Sequence, residues 1–308
     1  APCVALAAWL IWLRHTTGSW LGDAGFAHYN IAYSLQPIHA ATSLLRRIYF
    51  LSFANLRWIG TIAIGIGWRR GLFRSRAWRF TWLFIVAHVV LVSLLGGAEL
   101  ERYLLPVLPL LYTAAAAALT VYRRRWRNIS AAALAIGLIA GLLINPPYPF
   151  PYENNLAMAD FVALHQAAAK FLEREYPREQ IYTAWPLTAA LRTPEFGYVN
   201  RGFKTIETSD FRRSTLTRFR DSGMRVLVLY SRTWEPSWSV LRISAVRDFL
   251  ARWYEYEPQM TAVECRQILG LQQRMRWTRR GQWVEVYALQ APSTGAPGSI
   301  AYDDSLRR

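Results

Sequence analysis

The stretch that decides the fold is Gly96-Gly97-Ala98-Glu99-Leu100-Glu101-Arg102-Tyr103-Leu104-Leu105-Pro106. Three charges in four residues lie between two long apolar runs, 80–95 and 104–121. Each run approaches the roughly 20 residues that carry a helix across a bilayer. So short a linker holds its charges at or just inside a membrane surface. Charge held there is costly, which points to a site.

Outward from this turn the 308-residue chain divides into two halves of different composition. Residues 1–145 contain three acids, Asp23, Glu99 and Glu101, and the other 17 of the 20 acids follow them. The first half reads as membrane and the second as a soluble domain. The basic charge is nearly all Arg, and its densest clusters, at 69–79 and 123–127, fall between apolar runs. That placement and the lack of any nucleic-acid-binding motif argue against a nucleic-acid partner despite a net charge of +16.

The composition predicts an α-helical polytopic membrane region over 1–145, followed by a small α/β extracytoplasmic domain over 146–290 and a flexible Pro-, Gly- and Ser-rich tail over 291–308. The membrane region divides into a truncated helix at 1–13, an interfacial aromatic segment at 14–47, and helices at about 48–68, 80–97, 104–121 and 129–145. The chain starts at Ala1 inside an apolar run, so it is expected to be the C-terminal part of a longer protein. Short Arg-rich loops stay in the cytoplasm. That rule puts the Glu99–Tyr103 linker and everything after Asn145 on the opposite side of a multi-pass, bacterial inner-membrane protein. Four prolines in six positions, 146–151, form a stiff exit from the bilayer.

In the second half helix and strand signals alternate: helices at 155–176, 186–192, 209–221, 238–254 and 262–269, strands at 180–184, 203–208 and 225–230, and a hairpin of 271–278 with 283–289. The alternation predicts a layered α/β domain with a partly parallel sheet. It holds no phosphate-binding loop, dinucleotide fingerprint or nucleophile elbow. Cys3 and Cys265 fall in different halves, so no disulfide framework is expected. His15, His28, His39, His88 and His165 are scattered, with no metal-ligand spacing; His88, in mid-run, draws the most functional interest.

Candidate site residues are Glu99, Glu101, Arg102, Tyr103 and Arg57. Arg57 lies well inside the 48–68 run, where an arginine at bilayer depth costs roughly 2.5–3.5 kcal/mol. Either it faces a polar cavity or an anionic partner, with Asn55 helping to fix it, or the span starts near Trp58 and the side chain snorkels to the surface. The planar guanidinium suits phosphate oxygens, and phosphate at a membrane implies a lipid phosphate. Glu99 and Glu101 are positioned to orient a sugar hydroxyl, contact a divalent metal ion, or pair with Arg102 in a surface turn.

The run Glu101-Arg102-Tyr103-Leu104-Leu105-Pro106-Val107-Leu108-Pro109 resembles the RYLLPxLP signature of integral-membrane glycosyltransferases of the C-type superfamily. The likeness is to glycosyltransferase family 39, the protein O-mannosyltransferases, and to the lipid A aminoarabinose transferases. Asn145-Pro146-Pro147-Tyr148 and Tyr182-Thr183-Ala184-Trp185-Pro186 are similar to the C-terminal domain of bacterial members. The resemblance implies a polyprenyl-phosphate-linked sugar donor, an extracytoplasmic site and inversion at the anomeric carbon, with Arg102 and Tyr103 facing the donor phosphate or the cavity. The family's catalytic acid, an Asp in the first extracytoplasmic loop, has no counterpart here. Asp23 lies in a later loop, so the acid is expected upstream and the chain alone is expected to be inactive. Two other readings compete: a non-enzymatic membrane protein whose α/β domain binds a ligand or partner, and, less well matched, a transporter.

Overall fold

The computed structural model describes residues 2–20, 35–95, 100–146, 148–234 and 240–289. The chain divides into two compact units, Ala1–Met158 and Ala159–Arg308. The first is helical: α1 (Pro2–Thr17), α2 (Pro37–Ser52), α3 (Trp58–Arg69), α4 (Arg76–Leu95), α5 (Leu108–Leu119) and α6 (Arg124–Leu143).

This unit is not the expected polytopic bundle of four full spans. Among the described residues only α4 and α6, at 20 residues each, are long and apolar enough to cross a membrane. At 1.5 Å per residue each extends about 30 Å, the thickness of a hydrocarbon core. Only 17% of the apolar window of α4 and 6% of that of α6 is buried within the structure. A core helix of a water-soluble domain hides its apolar residues; these two expose Leu83, Phe84 and Leu91, and Ile136, Ile139 and Leu143. The expected interfacial segment 14–47 is described at its two ends, where 14–17 close α1 and 37–47 belong to α2, while its middle, 21–34, lies outside the described residues, as do Asp23 and Glu99.

Two of the expected spans fail for backbone reasons. The run 48–68 is broken at Phe53–Arg57, where Asn55 (φ 54°) and Leu56 (φ 61°) both take left-handed conformations. Asn tolerates that region; a left-handed Leu costs roughly 1–2 kcal/mol. Packing holds the knuckle in place, for α6 presents Gly137 and Gly141 to it. A Cβ on Gly137 would collide with the Asn55 carbonyl oxygen and Leu56, and one on Gly141 with the Asn55 side chain. Side chains beyond the break serve the carbonyls left open at the end of α2: Thr61 Oγ1 donates to Ser52 O (2.8 Å) and Arg57 Nη1 to Phe50 O (3.1 Å). The run 104–121 is shortened by proline. Pro106 has no N–H for a helical ladder, and Pro109 belongs in a first turn. The chain therefore forms a 3₁₀ turn at Glu101–Leu104 and a 12-residue α5.

Two small cores tie these helices together. Phe50, Ala54, Ile85, Val89, Leu104 and Val107 form one. Ala63, Phe73, Ala114, Ala118 and Leu119 form the other, with Trp78, Trp82 and Tyr122 against it.

The second unit is an α/β layer around a five-stranded sheet. α7 (Ala157–Glu175) leads into β1 (Ile181–Ala184), α8 (Leu187–Arg192), β2 (Thr205–Thr208), a short α9 (Arg213–Leu216), β3 (Val226–Tyr230), α10 (Ser244–Tyr254), α11 (Ala262–Leu269) and the hairpin β4 (Leu271–Arg279) and β5 (Gln282–Leu289). The strand order is β2-β1-β3-β5-β4. β1 pairs parallel with β2 and β3; β5 is antiparallel to β3 and β4. β1 and β3 are buried along their whole length, as central parallel strands are. The basic helix expected over 209–221 is one α turn followed by a 3₁₀ turn, Thr217–Phe219. Asp160 is buried and pairs with Arg279 Nε at 2.6 Å, fastening α7 to the hairpin. The expected tail, from 291, lies outside the described residues.

Candidate functional site

The break before α3 sets Arg57 where a continuous helix could not. Its side chain is 8% exposed. Nε donates to the Tyr112 hydroxyl at 3.0 Å, Nη1 donates to Phe50 O, and the guanidinium carbon lies 4.0 Å from the centroid of the Phe50 ring. No carboxylate of a described residue approaches Arg57 within 4 Å. Of the two sequence readings of Arg57, the cavity-facing one matches this geometry.

Arg57 and Tyr112 line a cleft of about 430 Å³ among α2–α6, otherwise walled mainly by aliphatic side chains such as Ile48, Ile64, Ile85, Val89 and Leu111. Thr61 and Ser52 add hydroxyls. Trp82 also lines the cleft, and its indole N–H is buried with no acceptor among the described residues. The cleft is thus apolar-walled and carries a guanidinium, hydroxyls and an unserved donor. That composition suits an amphiphile with an anionic head.

Glu101 occupies a neighbouring niche with Ser43, Arg46, Arg47, Phe50 and Leu104. Burial pushes its carboxyl up to about 7, against the opposing attraction of Arg57 and Arg46. Burial also raises the Tyr148 phenol, which feels the Glu101 charge and the Tyr49 hydroxyl. The structure therefore brings Glu101 and Arg57 into one electrostatic neighbourhood.

Arg102 and Tyr103 are placed differently. Arg102 is exposed and its Nη1 pairs with Glu153 at 2.6 Å. Tyr103 offers its backbone carbonyl to His88 Nε2 at 2.8 Å. That contact gives His88 a role in fastening α4 to the 101–104 turn. Neither residue lines the cleft.

Tyr112, Trp82, Gly137 and Gly141 were missed in the sequence. Each sits in an apolar run that reads as uniform, and Tyr112 is the one polar-tipped ring in 104–121. No three His, Cys, Asp or Glu side chains of the described residues converge to hold a metal ion. Searches of family models, curated proteins and solved structures find nothing that matches this chain.

Proposed function

We propose that this protein is a membrane glycosyltransferase that moves a sugar from a polyprenyl-phosphate donor to an acceptor outside the cytoplasm. The observation that carries the reading is Arg57: a buried guanidinium on an apolar cleft, with no carboxylate of a described residue at contact distance. Desolvated charge without a counter-charge costs several kcal/mol. A lipid phosphate supplies the missing charge, and its hydrocarbon chain matches the aliphatic walls. In this reading α4 and α6 cross the inner membrane with their arginine-rich starts in the cytoplasm, the Glu101–Leu104 turn and α5 together bring the chain back between them, and the α/β unit is extracytoplasmic.

The chemistry is a displacement at the anomeric carbon. The acceptor oxygen bonds to that carbon as its bond to the phosphate oxygen breaks. Charge grows on the departing phosphate, where the Arg57 fork and the Tyr112 hydroxyl stabilise it. The acceptor's proton passes to a carboxylate. Glu101, titrating near neutral pH beside Arg57, balances the charge of the phosphate as it arrives and leaves. Supporting the reading besides Arg57 is the likeness of the Arg102–Pro109 run to glycosyltransferase signatures.

The test uses purified protein in detergent with undecaprenyl phosphate and with undecaprenol, which lacks the phosphate. The phosphate form is expected to bind and to raise the melting temperature, undecaprenol much less, and Arg57→Ala to remove the difference. Equal binding of the two lipids sinks the Arg57 assignment. Release of undecaprenyl phosphate from an undecaprenyl-phosphate sugar, dependent on acceptor, tests transfer. Because the resemblance places no catalytic acid on this chain, phosphate-dependent binding without release is the result expected of the chain alone, and acceptor-dependent release by it would overturn that expectation.

A further inference from the structure

The opposite ends of the helices in the first unit hold a second anion-suited pocket, distinct from the Arg57 cleft. It encloses about 450 Å³ and is lined by Arg70, Val121, Tyr122, Arg123, Trp126 and Ser130. Arg70 caps the end of α3 and donates from Nη1 to Val121 O at 3.3 Å, which holds its guanidinium across the end of α5. Arg123 is the residue before α6. Trp126 and Ser130 follow it by three and seven residues, so the three share one helix face.

The charge around this pocket is one-sided. Residues 69–79 carry five arginines and 123–127 carry four, and no Asp or Glu occurs from 24 to 98 or from 102 to 152. Among the described residues, none of these nine arginines has a carboxylate within 4 Å. The polar pocket also borders apolar surface: Trp126 is 61% exposed, and Ile129 and Ile136 continue outward-facing along α6. Exposed tryptophan beside arginine, at the start of a helix of spanning length, is the pattern of a membrane–water boundary.

We infer that the Arg70–Arg123 pocket binds the phosphate of an anionic phospholipid headgroup, whose acyl chains lie along the exposed face of α6. The two guanidinium groups fork onto phosphate oxygens, the Tyr122 and Ser130 hydroxyls serve the remaining acceptors, and Trp126 sits at glycerol depth. The inference rests on α4 and α6 crossing a membrane and not on sugar transfer.

The test is lipid retention by the full chain reconstituted in nanodiscs of mixed phosphatidylcholine and phosphatidylglycerol, read by native mass spectrometry. Wild-type protein is expected to carry phosphatidylglycerol selectively. The double variant R70Q/R123Q should lose roughly thirty-fold in that selectivity, at about fivefold per arginine near an anionic surface. R79Q/R127Q removes the same charge from the same loops outside the pocket and should keep most of it. Equal loss in both double variants, or none in either, overturns the site. So does tight binding of inorganic phosphate alone, which would mark a soluble-anion site, or preferential binding of a single-stranded oligonucleotide over lipid. Failure to enter nanodiscs would refute the membrane crossing and this inference together, whereas entry without lipid selectivity would refute the inference alone. All four substituted side chains lie at the surface or boundary, and near-ultraviolet circular dichroism of the tryptophans confirms that the variants are folded.

Discussion

At the scale of single residues, the geometry of Arg57 separates charge from shape. Arg57→Lys keeps the charge but cannot reach the Tyr112 hydroxyl and Phe50 carbonyl while offering a planar fork. Its affinity for undecaprenyl phosphate is expected to fall about tenfold, the value of roughly one charge-assisted hydrogen bond; unchanged affinity would show that position and charge suffice. Glu101 makes the same binding event pH-linked. Its carboxyl titrates at about 7 within a shell of Arg46, Arg47, Arg57 and Tyr148. A phosphate arriving near Arg57 repels the ionised form, so binding at pH 7 should draw up about half a proton or less. Titration calorimetry in buffers of different ionisation heat reads that uptake, and Glu101→Gln should abolish it. In the α/β unit His165 is 2% exposed, donates from Nδ1 to Phe161 O (2.7 Å), and lies against the Phe161 and Tyr230 rings. Burial lowers its pKa from 6.5 to about 4. The unfolded chain therefore binds the proton first: the stability His165 allows is complete above pH 6.5 and is lost as the pH falls through 4. The loss is of order 3 kcal/mol at most. Denaturant melts of His165→Phe at pH 7 and pH 4.5 should show a flatter pH dependence than wild type; an identical slope would mean another group titrates.

At the scale of elements, hydropathy gave the positions of apolar runs but not the backbone within them. The run 48–68 looked continuous because Asn55 and Arg57 are two polar residues in a long apolar stretch. The break depends on Gly137 and Gly141, some eighty residues later, whose missing Cβ atoms admit the knuckle, and no local pattern reports that. The shortening of 104–121 is different: Pro106 and Pro109 are plain in the sequence, and the length of an apolar run does not say where within it the helix starts. The knuckle predicts its own weak point. Gly137→Val should drive two methyl groups into the Asn55 carbonyl and Leu56, at a cost of about 1–3 kcal/mol for overpacking. Gly65→Val, on α3 where a Cβ meets open space, supplies the comparison. Thermal unfolding should separate the two clearly, and lipid-phosphate binding should fail with Gly137→Val because Arg57 is aimed by the same break. In the second unit the local signals were stronger. The helix at Ala262–Leu269 carries its own capping box, Thr261 with Glu264, and ends on left-handed Gly270. The hairpin turns on Arg280 and Gly281, both at positive φ. Each of these lies within a few residues of what it terminates. The helix expected over 209–221 failed because Ser209 caps nothing: the helical turn starts after Arg212, whose Nε pairs with Asp210 at 2.7 Å.

At the scale of the whole molecule, the asymmetry of acids between the halves was visible in composition alone, and so was the contrast between apolar helices and an alternating α/β pattern. The site was half legible. Arg57 was singled out by its depth, whereas Arg102 and Tyr103 were singled out by motif; the Arg102 side chain pairs with Glu153, and Tyr103 gives only its backbone carbonyl to His88. Depth is a physical cost that demands compensation; a motif is a position whose partners depend on the rest of the fold. The apolar exposure of α4 and α6 carries the same kind of cost. Their outward faces would be an aggregation surface in water, so the chain should remain in the pellet when cell membranes are washed in alkaline carbonate. Ile136 and Ile139 are 64% and 59% exposed on α6 and take no part in the Arg57 cleft. Ile136→Arg with Ile139→Arg sets two charges in the middle of that helix, each costing roughly 2.5–3.5 kcal/mol at bilayer depth. In water the same change would only improve solubility. Release of the double variant from carbonate-washed membranes, with retention of the wild type, is the outcome expected if α6 lies in lipid. A wild-type chain that washes free, or a double variant no easier to extract, would show that α6 is covered by something other than a bilayer.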